Sequence, residues 1–181
     1  EFRRVLFRSM RRANVNPDII SYSATISACE KGGQWQLALV LFDGMTQATI
    51  SPDAITYNSA ISACQTGGQW QDALALFEAL PKAKIQPDVI SYNATISACE
   101  RCAQWPQGLS LFHSMPKAKV AQDTITWNAS ISACGKGGQW QLALNLFYSL
   151  TQEHLHPNII TINATISACG SHAQWEQEIG R

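Results

Sequence analysis

Apolar side chains recur along this chain with helical spacing, and the whole pattern returns every 35 residues. In one copy, Tyr57, Ile61 and Cys64 stand at positions i, i+4 and i+7, which places them on one face of a helix. A second apolar stripe follows with similar spacing, from Trp70 to Phe77. The pattern therefore predicts two amphipathic helices in each copy.

Residues that start and stop helices mark the ends of both predicted elements. Asp53 is a good N-cap for the first helix, and the pair Gly67-Gly68 is expected to end it. The second helix is expected to run from about Gln69 to Leu80, because Pro81 does not easily continue a helix. Each copy thus predicts a helical hairpin followed by a short connector.

The copies divide the chain into repeats, and the clearest marker of their register is a tryptophan. These tryptophans are Trp35, Trp70, Trp105, Trp140 and Trp175. We predict whole repeats at 19–53, 54–88, 89–123 and 124–158, and a fifth at 159–181 that stops inside its second helix. Residues 1–18 are predicted to be an N-terminal extension and the tail of a partial repeat. Neither helix can bury its stripe alone, so the repeats are expected to stack into an all-α superhelix, of either hand, with a concave face.

Several residue types recur once in each repeat, and we interpret them as packing residues. The tryptophans belong to the apolar face of the second helix, which favours a place in the core over contact with a ligand. Small residues stand where helices would approach closely: Ala38, Ala73, Gly108 and Ala143. The cysteines in register are interpreted as reduced core residues instead of disulfide partners; they are Cys29, Cys64, Cys99, Cys134 and Cys169.

The charge distribution argues against a strongly basic nucleic-acid surface. The formal net charge is zero, but five arginines crowd the first twelve residues, so the remaining chain is mildly acidic. We interpret the arginine cluster as a terminal extension instead of a nucleic-acid arm. A hydrophobic content of 46% excludes a disordered chain, and the sequence has no apolar run long enough to span a membrane.

The sequence contains few residues or motifs that suggest catalysis or metal binding. Cys99 and Cys102 form a lone C-x-x-C without a second pair, and the histidines do not recur in register. No nucleophile and base pairing or glycine-rich phosphate loop is visible. We therefore expect no enzymatic activity, no metal and no cofactor in this segment. The presence of a catalytic domain beyond Arg181 stays an open alternative.

Four short motifs give the chain a family resemblance. Tyr57-Asn58, Gly67-Gly68, the segment 73–77 (ALALF) and Pro87-Asp88 closely resemble the pentatricopeptide repeat, over nearly the whole chain from about residue 5. The nearest rival is the tetratricopeptide repeat, which has a period of 34 and usually mediates protein contacts. The resemblance implies a right-handed α-solenoid of stacked helix-turn-helix repeats.

The resemblance also implies a function, which is sequence-selective binding of single-stranded RNA with one nucleotide per repeat. It implies a role in organellar RNA processing, editing, stability or translation, in a plastid or mitochondrion. Other RNA-processing proteins are candidate partners, whereas neither a membrane nor DNA is expected. The rival reading is a protein-interaction scaffold of the same fold.

The residues that would contact RNA follow from the register of the family motif. The first-helix residues that would read the bases are Ser23, Asn58, Asn93, Asn128 and Asn163. Their partners at the last position of each repeat are Asp53, Asp88, Asp123 and Asn158. The aliphatic residues that would pack on the bases are Ile20, Ile55, Ile90, Ile125 and Ile160. In the family these pairs imply the core G-U-U-C, read 5′ to 3′ from the N-terminus.

The same positions also have a purely structural interpretation. Asp and Asn are good N-caps, so the partner residues would start helices whether or not they touch RNA. Asn is unfavourable inside helices, which hints at a use beyond folding, although duplication alone could have spread it. Of the cations, Lys31, Arg101 and Lys136 follow the first helix and would lie near an RNA backbone. So few cations predict weak binding with a shallow salt dependence.

Overall fold

The computed structural model describes residues 17–153 and 155–170, and within these ranges all regular structure is helical. The helices are α1 Ile19–Lys31, α2 Trp35–Gln47, α3 Ala54–Gly67, α4 Trp70–Lys82, α5 Val89–Arg101, α6 Trp105–Ser114, α7 Thr124–Lys136, α8 Trp140–Gln152 and α9 Ile159–Gly170. The predicted all-α helical repeat fold is confirmed. The arginine cluster and Trp175 lie outside the described residues.

The chain divides into two compact units, residues 1–86 and 87–181. In the first unit, α1 packs against α2 and α3, and α3 packs against α2 and α4. In the second unit, α5 packs against α6 and α7, and α7 packs against α6, α8 and α9. Within each unit, a first helix therefore contacts its own second helix and the first helix of the following repeat, as expected for stacked helical hairpins.

Aspartates start the first helices, as the sequence predicts. Asp53 is in extended conformation, and its carboxylate accepts a hydrogen bond from the backbone N–H of Thr56 at 2.8 Å. Asp18 caps α1 in the same way through Ser21. Asp88 and Asp123 each form a capping box with the third residue of their helix. The predicted N-cap role is confirmed at Asp53, and it fixes where each first helix begins.

Both helices of a repeat are followed by a left-handed residue, which is Lys84 after α4, with a φ of 62°. Gly68 closes α3 in the left-handed conformation, with a φ of 66°, as the glycine pair predicts. In the third repeat Ala103 adopts this conformation with a φ of 55°. The predicted end of the second helix at Leu80 is wrong, because α4 continues through Pro81 to Lys82. Pro81 lacks an N–H donor, but the N–H of Ala83 still donates to the carbonyl of Ala79 and closes the last turn.

The core lies between the helices of each unit and consists of residues that recur in register. Isoleucines of the first helices and alanines of the second helices are fully buried, for example Ile61 and Ala73. Cys29, Cys64, Cys99 and Cys134 are buried thiols outside any disulfide, so their predicted place in the core is confirmed. Burial raises the pKa of Cys64 to about 12 and that of Cys134 to about 11.

Among the described residues, the tryptophans that mark the register are only partly buried, so the expectation that they fill the core needs correction. Trp35 opens α2 and is only partly buried, and a Cβ atom on Gly67 of the next repeat would overlap its indole ring. Trp105 meets Gly137 in the same way in the second unit. At these two joints a side chain in place of the glycine would have to displace the indole ring.

Candidate functional site

Three of the four pairs predicted from the sequence have both members within one unit. These pairs are Ser23 with Asp53, Asn93 with Asp123, and Asn128 with Asn158. Asn58 and Asp88 belong to different units. In each of the three pairs, the first residue lies on the second turn of a first helix, and the second residue caps the first helix that follows it.

The pair of Asn93 and Asp123 is held by a charge-assisted contact. The side-chain Nδ2 of Asn93 donates to the carboxylate of Asp123, with both oxygens at 3.1 Å. Burial raises the pKa of Asp123, but hydrogen bonds from Thr126 and Asn93 outweigh it and hold this pKa below its usual value. The carboxylate is therefore ionised at neutral pH, and it is an acceptor only.

The pair of Asn128 and Asn158 has the same arrangement without the charge. Here Nδ2 of Asn128 lies 3.4 Å from Oδ1 of Asn158, which makes this hydrogen bond longer and weaker. Oδ1 of Asn158 also accepts the backbone N–H of Thr161 at 2.9 Å, so it caps α9 as well. Capping and pairing are thus compatible in one side chain.

The pair of Ser23 and Asp53 is connected through a third residue. The hydroxyls of Ser23 and Thr56 are 2.5 Å apart, and Thr56 Oγ1 donates to the carboxylate of Asp53 at 2.6 Å. Ser23 is too short to reach Asp53 directly, so Thr56 bridges them. The predicted partners are brought together here by a residue that the sequence analysis did not select.

A hydroxyl at this third helix position is common to all described repeats, and sequence reasoning missed it. Thr56, Thr126 and Thr161 are fully buried, and each one touches both members of a pair. The signal was present as a serine or threonine every 35 residues, at Ser21, Thr56, Ser91, Thr126 and Thr161. Such a residue is ordinary in the first turn of a helix, so its recurrence alone does not indicate a contact with the pair.

The isoleucines predicted to pack on bases are exposed apolar side chains beside the pairs. Each follows its N-cap by two residues, and their exposed fractions range from 57% at Ile90 to 72% at Ile20. The other three are Ile55, Ile125 and Ile160. A row of large apolar side chains left open to water beside partly buried polar pairs is typical of a surface that receives a ligand.

A groove of about 410 Å³ lies between α7 and α9 in the second unit. Its lining includes Ile160 and Asn163, which the sequence predicts as site residues, and Lys136. The structure thus brings a polar amide, an exposed aliphatic side chain and a cation to one surface. This combination of groups can contact the edge of a base, its face and a phosphate, respectively.

The cations near these pairs end the first helices instead of following them. Lys31, Arg101 and Lys136 are the last residues of α1, α5 and α7, and each is exposed. Lys136 Nζ forms an ion pair with Glu100 at 2.5 Å, and the same carboxylate accepts a hydrogen bond from Ser132 at 2.7 Å. The cation is therefore partly neutralised by the preceding repeat.

The part of the chain that the structure describes shows no cluster of His, Cys, Asp and Glu side chains that could hold a metal ion. Among the described helices, none combines the length and apolarity that a bilayer span requires. The side chains of the pairs and of the isoleucines beside them supply amides, carboxylates, hydroxyls and aliphatic groups. These groups can recognise a ligand through hydrogen bonds and packing.

Three family models match the chain, and all three describe the same repeat. The model described as the pentatricopeptide repeat domain matches residues 5–66 and 110–172, which together make up more than half of the chain. Models described as the PPR repeat family and the PPR repeat match residues 52–101 and 90–120. A search of curated proteins found no match.

Solved structures of this kind of repeat protein share the fold. The pentatricopeptide repeat protein PPR10 from maize is 24% identical over 97% of this chain, with a TM-score of 0.72. Its complex with an 18-nt psaJ RNA element is 22% identical over 92% of the chain, with a TM-score of 0.75. The chain covers 25% and 24% of those two proteins, so it spans about a quarter of their length.

A third structure extends the likeness to another protein. The PPR domain of Arabidopsis thaliana protein-only RNase P 1, in complex with tRNA, is 11% identical, with a TM-score of 0.73. The match covers 87% of this chain and 83% of that domain. At these identities, the solved structures establish a shared fold.

Proposed function

The chain belongs to the pentatricopeptide repeat family, and we propose that its repeats bind single-stranded RNA selectively, with one nucleotide per repeat. The observation that carries the proposal is the repeated pairing of Asn93 with Asp123 and of Asn128 with Asn158, each beside an exposed isoleucine. The complex of maize PPR10 with RNA supports a ligand of this kind for the shared fold. The protein would act by occupying and presenting RNA.

Each repeat would recognise a base by two complementary means. The amide or hydroxyl of the first-helix residue would hydrogen-bond the Watson–Crick edge, and the exposed isoleucine would pack on the face of the base. The pairs Ser23 with Asp53, Asn58 with Asp88, Asn93 with Asp123 and Asn128 with Asn158 would select G, U, U and C. We propose G-U-U-C as the core, read 5′ to 3′ from the N-terminus, in an organellar transcript of a plastid or mitochondrion.

Selection from a random pool of single-stranded RNA tests this proposal. Enrichment of sequences that contain GUUC is the expected result, at low salt because the chain offers few cations for phosphates. If the chain retains no RNA even at low salt, RNA binding fails. A peptide-binding scaffold of the same fold would then be the better explanation.

A substitution within one pair tests the assignment of bases. Asn128→Ser should shift the preference of the fourth repeat from a pyrimidine towards adenine, because a short hydroxyl replaces the amide that reaches the pyrimidine edge. Asn145→Ser is the matched control, since Asn145 is exposed on α8 and lies outside the predicted pairs. An unchanged base preference in Asn128→Ser would refute the assignment of this pair.

A further inference from the structure

At the joint between the third and fourth repeats, a carboxylate of one repeat lies where two donors of the next converge. Oε1 of Glu100 is 2.7 Å from Oγ of Ser132 and 2.5 Å from Nζ of Lys136. A carboxylate only accepts hydrogen bonds, so the hydroxyl and the ammonium both donate, and they donate to a single oxygen. Two donors around one anionic oxygen also suit a non-bridging oxygen of a phosphate.

The same two donors line the groove between α7 and α9. Ser132 and Lys136 share this lining with Ile160 and Asn163, which are predicted to contact a base. The side chain of Lys136 is 49% exposed and has a flexible four-carbon stem, so a change of rotamer can turn its ammonium away from Glu100. Because each nucleotide carries a phosphate next to its base, RNA in this groove brings an anion to the surface that holds both donors.

Other joints between repeats lack this arrangement, so the carboxylate is not part of the packing that all repeats share. In the first unit, Glu30 is equivalent to Glu100, but Thr66 stands in place of Lys136 and donates to a carbonyl of its own helix. After the fourth repeat, Gly135 stands in place of Glu100. Within the part of the chain that the structure describes, this carboxylate meets a lysine of the following repeat at one joint.

We propose that Ser132 and Lys136 form a phosphate subsite of the fourth repeat, and that the carboxylate of Glu100 occupies this subsite in the RNA-free chain. An RNA phosphate would take the place of the carboxylate oxygen, and Glu100 would turn towards solvent. The inference rests on the proposed function for its ligand, since the RNA backbone supplies the phosphate. RNA gains at this joint only the difference between two anions, so Glu100 acts as an internal competitor that weakens binding.

Binding to a single-stranded RNA that contains GUUC is measured at low salt for the whole chain and two charge variants. Glu100→Gln keeps the shape of the side chain but removes the competing anion, so the affinity should rise about two- to fivefold, as for one surface ion pair. Glu30→Gln removes the same charge where Thr66 replaces the lysine, and the affinity should rise by less than about twofold because solvent and salt screen an unpaired charge. If Glu100→Gln bound RNA no more tightly than Glu30→Gln, the competition would be refuted.

Ser132→Ala distinguishes a shared subsite from a change of net charge. In the wild type, the hydroxyl donates to the carboxylate before RNA binds and to the phosphate afterwards, so its removal should change the affinity by less than about twofold. In the Glu100→Gln background the phosphate is the stronger acceptor, so the same substitution should weaken binding about two- to fivefold. Alanine favours a helix more than serine does, so α7 is retained in both backgrounds. An equal effect of Ser132→Ala in the two backgrounds would refute the shared subsite.

A titration without RNA separates this inference from the proposed function. Inorganic phosphate is added at constant ionic strength, and NMR follows the backbone amide of Ser132 and the side-chain signals of Lys136. These signals should shift more in Glu100→Gln than in the wild type, because the carboxylate no longer holds both donors. Equal shifts in the two proteins would refute the occupied subsite. A chain that shows the expected difference but binds no RNA would refute the proposed function and support the phosphate subsite.

Discussion

Two glycines of the second unit should respond in opposite ways to the same substitution by alanine. Gly108 lies inside α6, and a Cβ atom there would be 3.7 Å from Cys99 Cβ and 3.9 Å from Ala133 Cβ, which are ordinary contact distances. Replacing a glycine inside a helix by alanine stabilises the helix by about 1 kcal/mol. New contacts of the methyl group add a few tenths of a kcal/mol, so Gly108→Ala should gain about 1 kcal/mol or slightly more.

Gly135 in α7 gains the same helix propensity but meets an obstacle. A Cβ atom there would lie 2.8 Å from Ala168 Cβ and 3.1 Å from its Cα, so α9 must shift. Overpacking of this kind costs about 1 to 3 kcal/mol, which exceeds the gain from propensity. Gly135→Ala should therefore destabilise the chain, by up to about 2 kcal/mol.

Chemical denaturation followed by circular dichroism measures both effects as shifts of the transition midpoint at unchanged slope. Thermal melting should show Gly108→Ala about 2 to 5 °C above the wild type for a chain of this size. Ala73 and Ala143 occupy the equivalent position in other repeats and are fully buried there. An alanine should therefore also fit at position 108. If both variants moved in the same direction, the packing difference between the two sites would be refuted.

The remaining predictions concern electrostatics, backbone strain and thiol chemistry. Glu100→Gln removes the carboxylate that pairs with Lys136, so the lysine should become available to a phosphate. RNA binding should tighten, and the slope of log affinity against log salt should steepen by about 0.7. An unchanged slope would contradict this. Ala103→Gly should raise the unfolding midpoint and stabilise by up to about 1 kcal/mol, because alanine at a φ of 55° is strained; a lowered midpoint would count against strain. Cys64, with its pKa raised to about 12 by burial, should resist iodoacetamide in mildly alkaline buffer until the chain unfolds; labelling of the folded chain, located by mass spectrometry, would contradict its burial.

Much of the fold could be predicted from the sequence because the decisive signals are local. The N-cap at Asp53 and the left-handed Gly68 act within a few residues of their own position, so both boundaries of α3 follow from residue type. The same register pointed to Asn93 and Asp123, whose side chains lie in contact. A period that recurs five times makes each local signal far more reliable than a single occurrence.

The parts that the sequence did not reveal depend on contacts between repeats. The ion pair of Lys136 with Glu100 joins residues that are 36 positions apart, and its geometry depends on how two helices are stacked. From its neighbours in the sequence, Thr126 is expected only to cap its own helix. Its contact with Asn93 depends on how one repeat stacks on the next. A periodic sequence shows which residues recur but does not show which neighbour each copy touches.

The contact between Trp105 and Gly137 has a consequence for how such arrays can grow or shrink by recombination. The indole belongs to one repeat and the glycine to the next. A repeat that is inserted or removed as a whole therefore brings or takes away one residue of each kind. Insertion or deletion of 35 residues restores a glycine opposite the indole wherever the flanking repeats carry one. An event of another length would instead shift this glycine relative to the ring. The indole would thus select for in-register exchange, independently of any selection on the ligand.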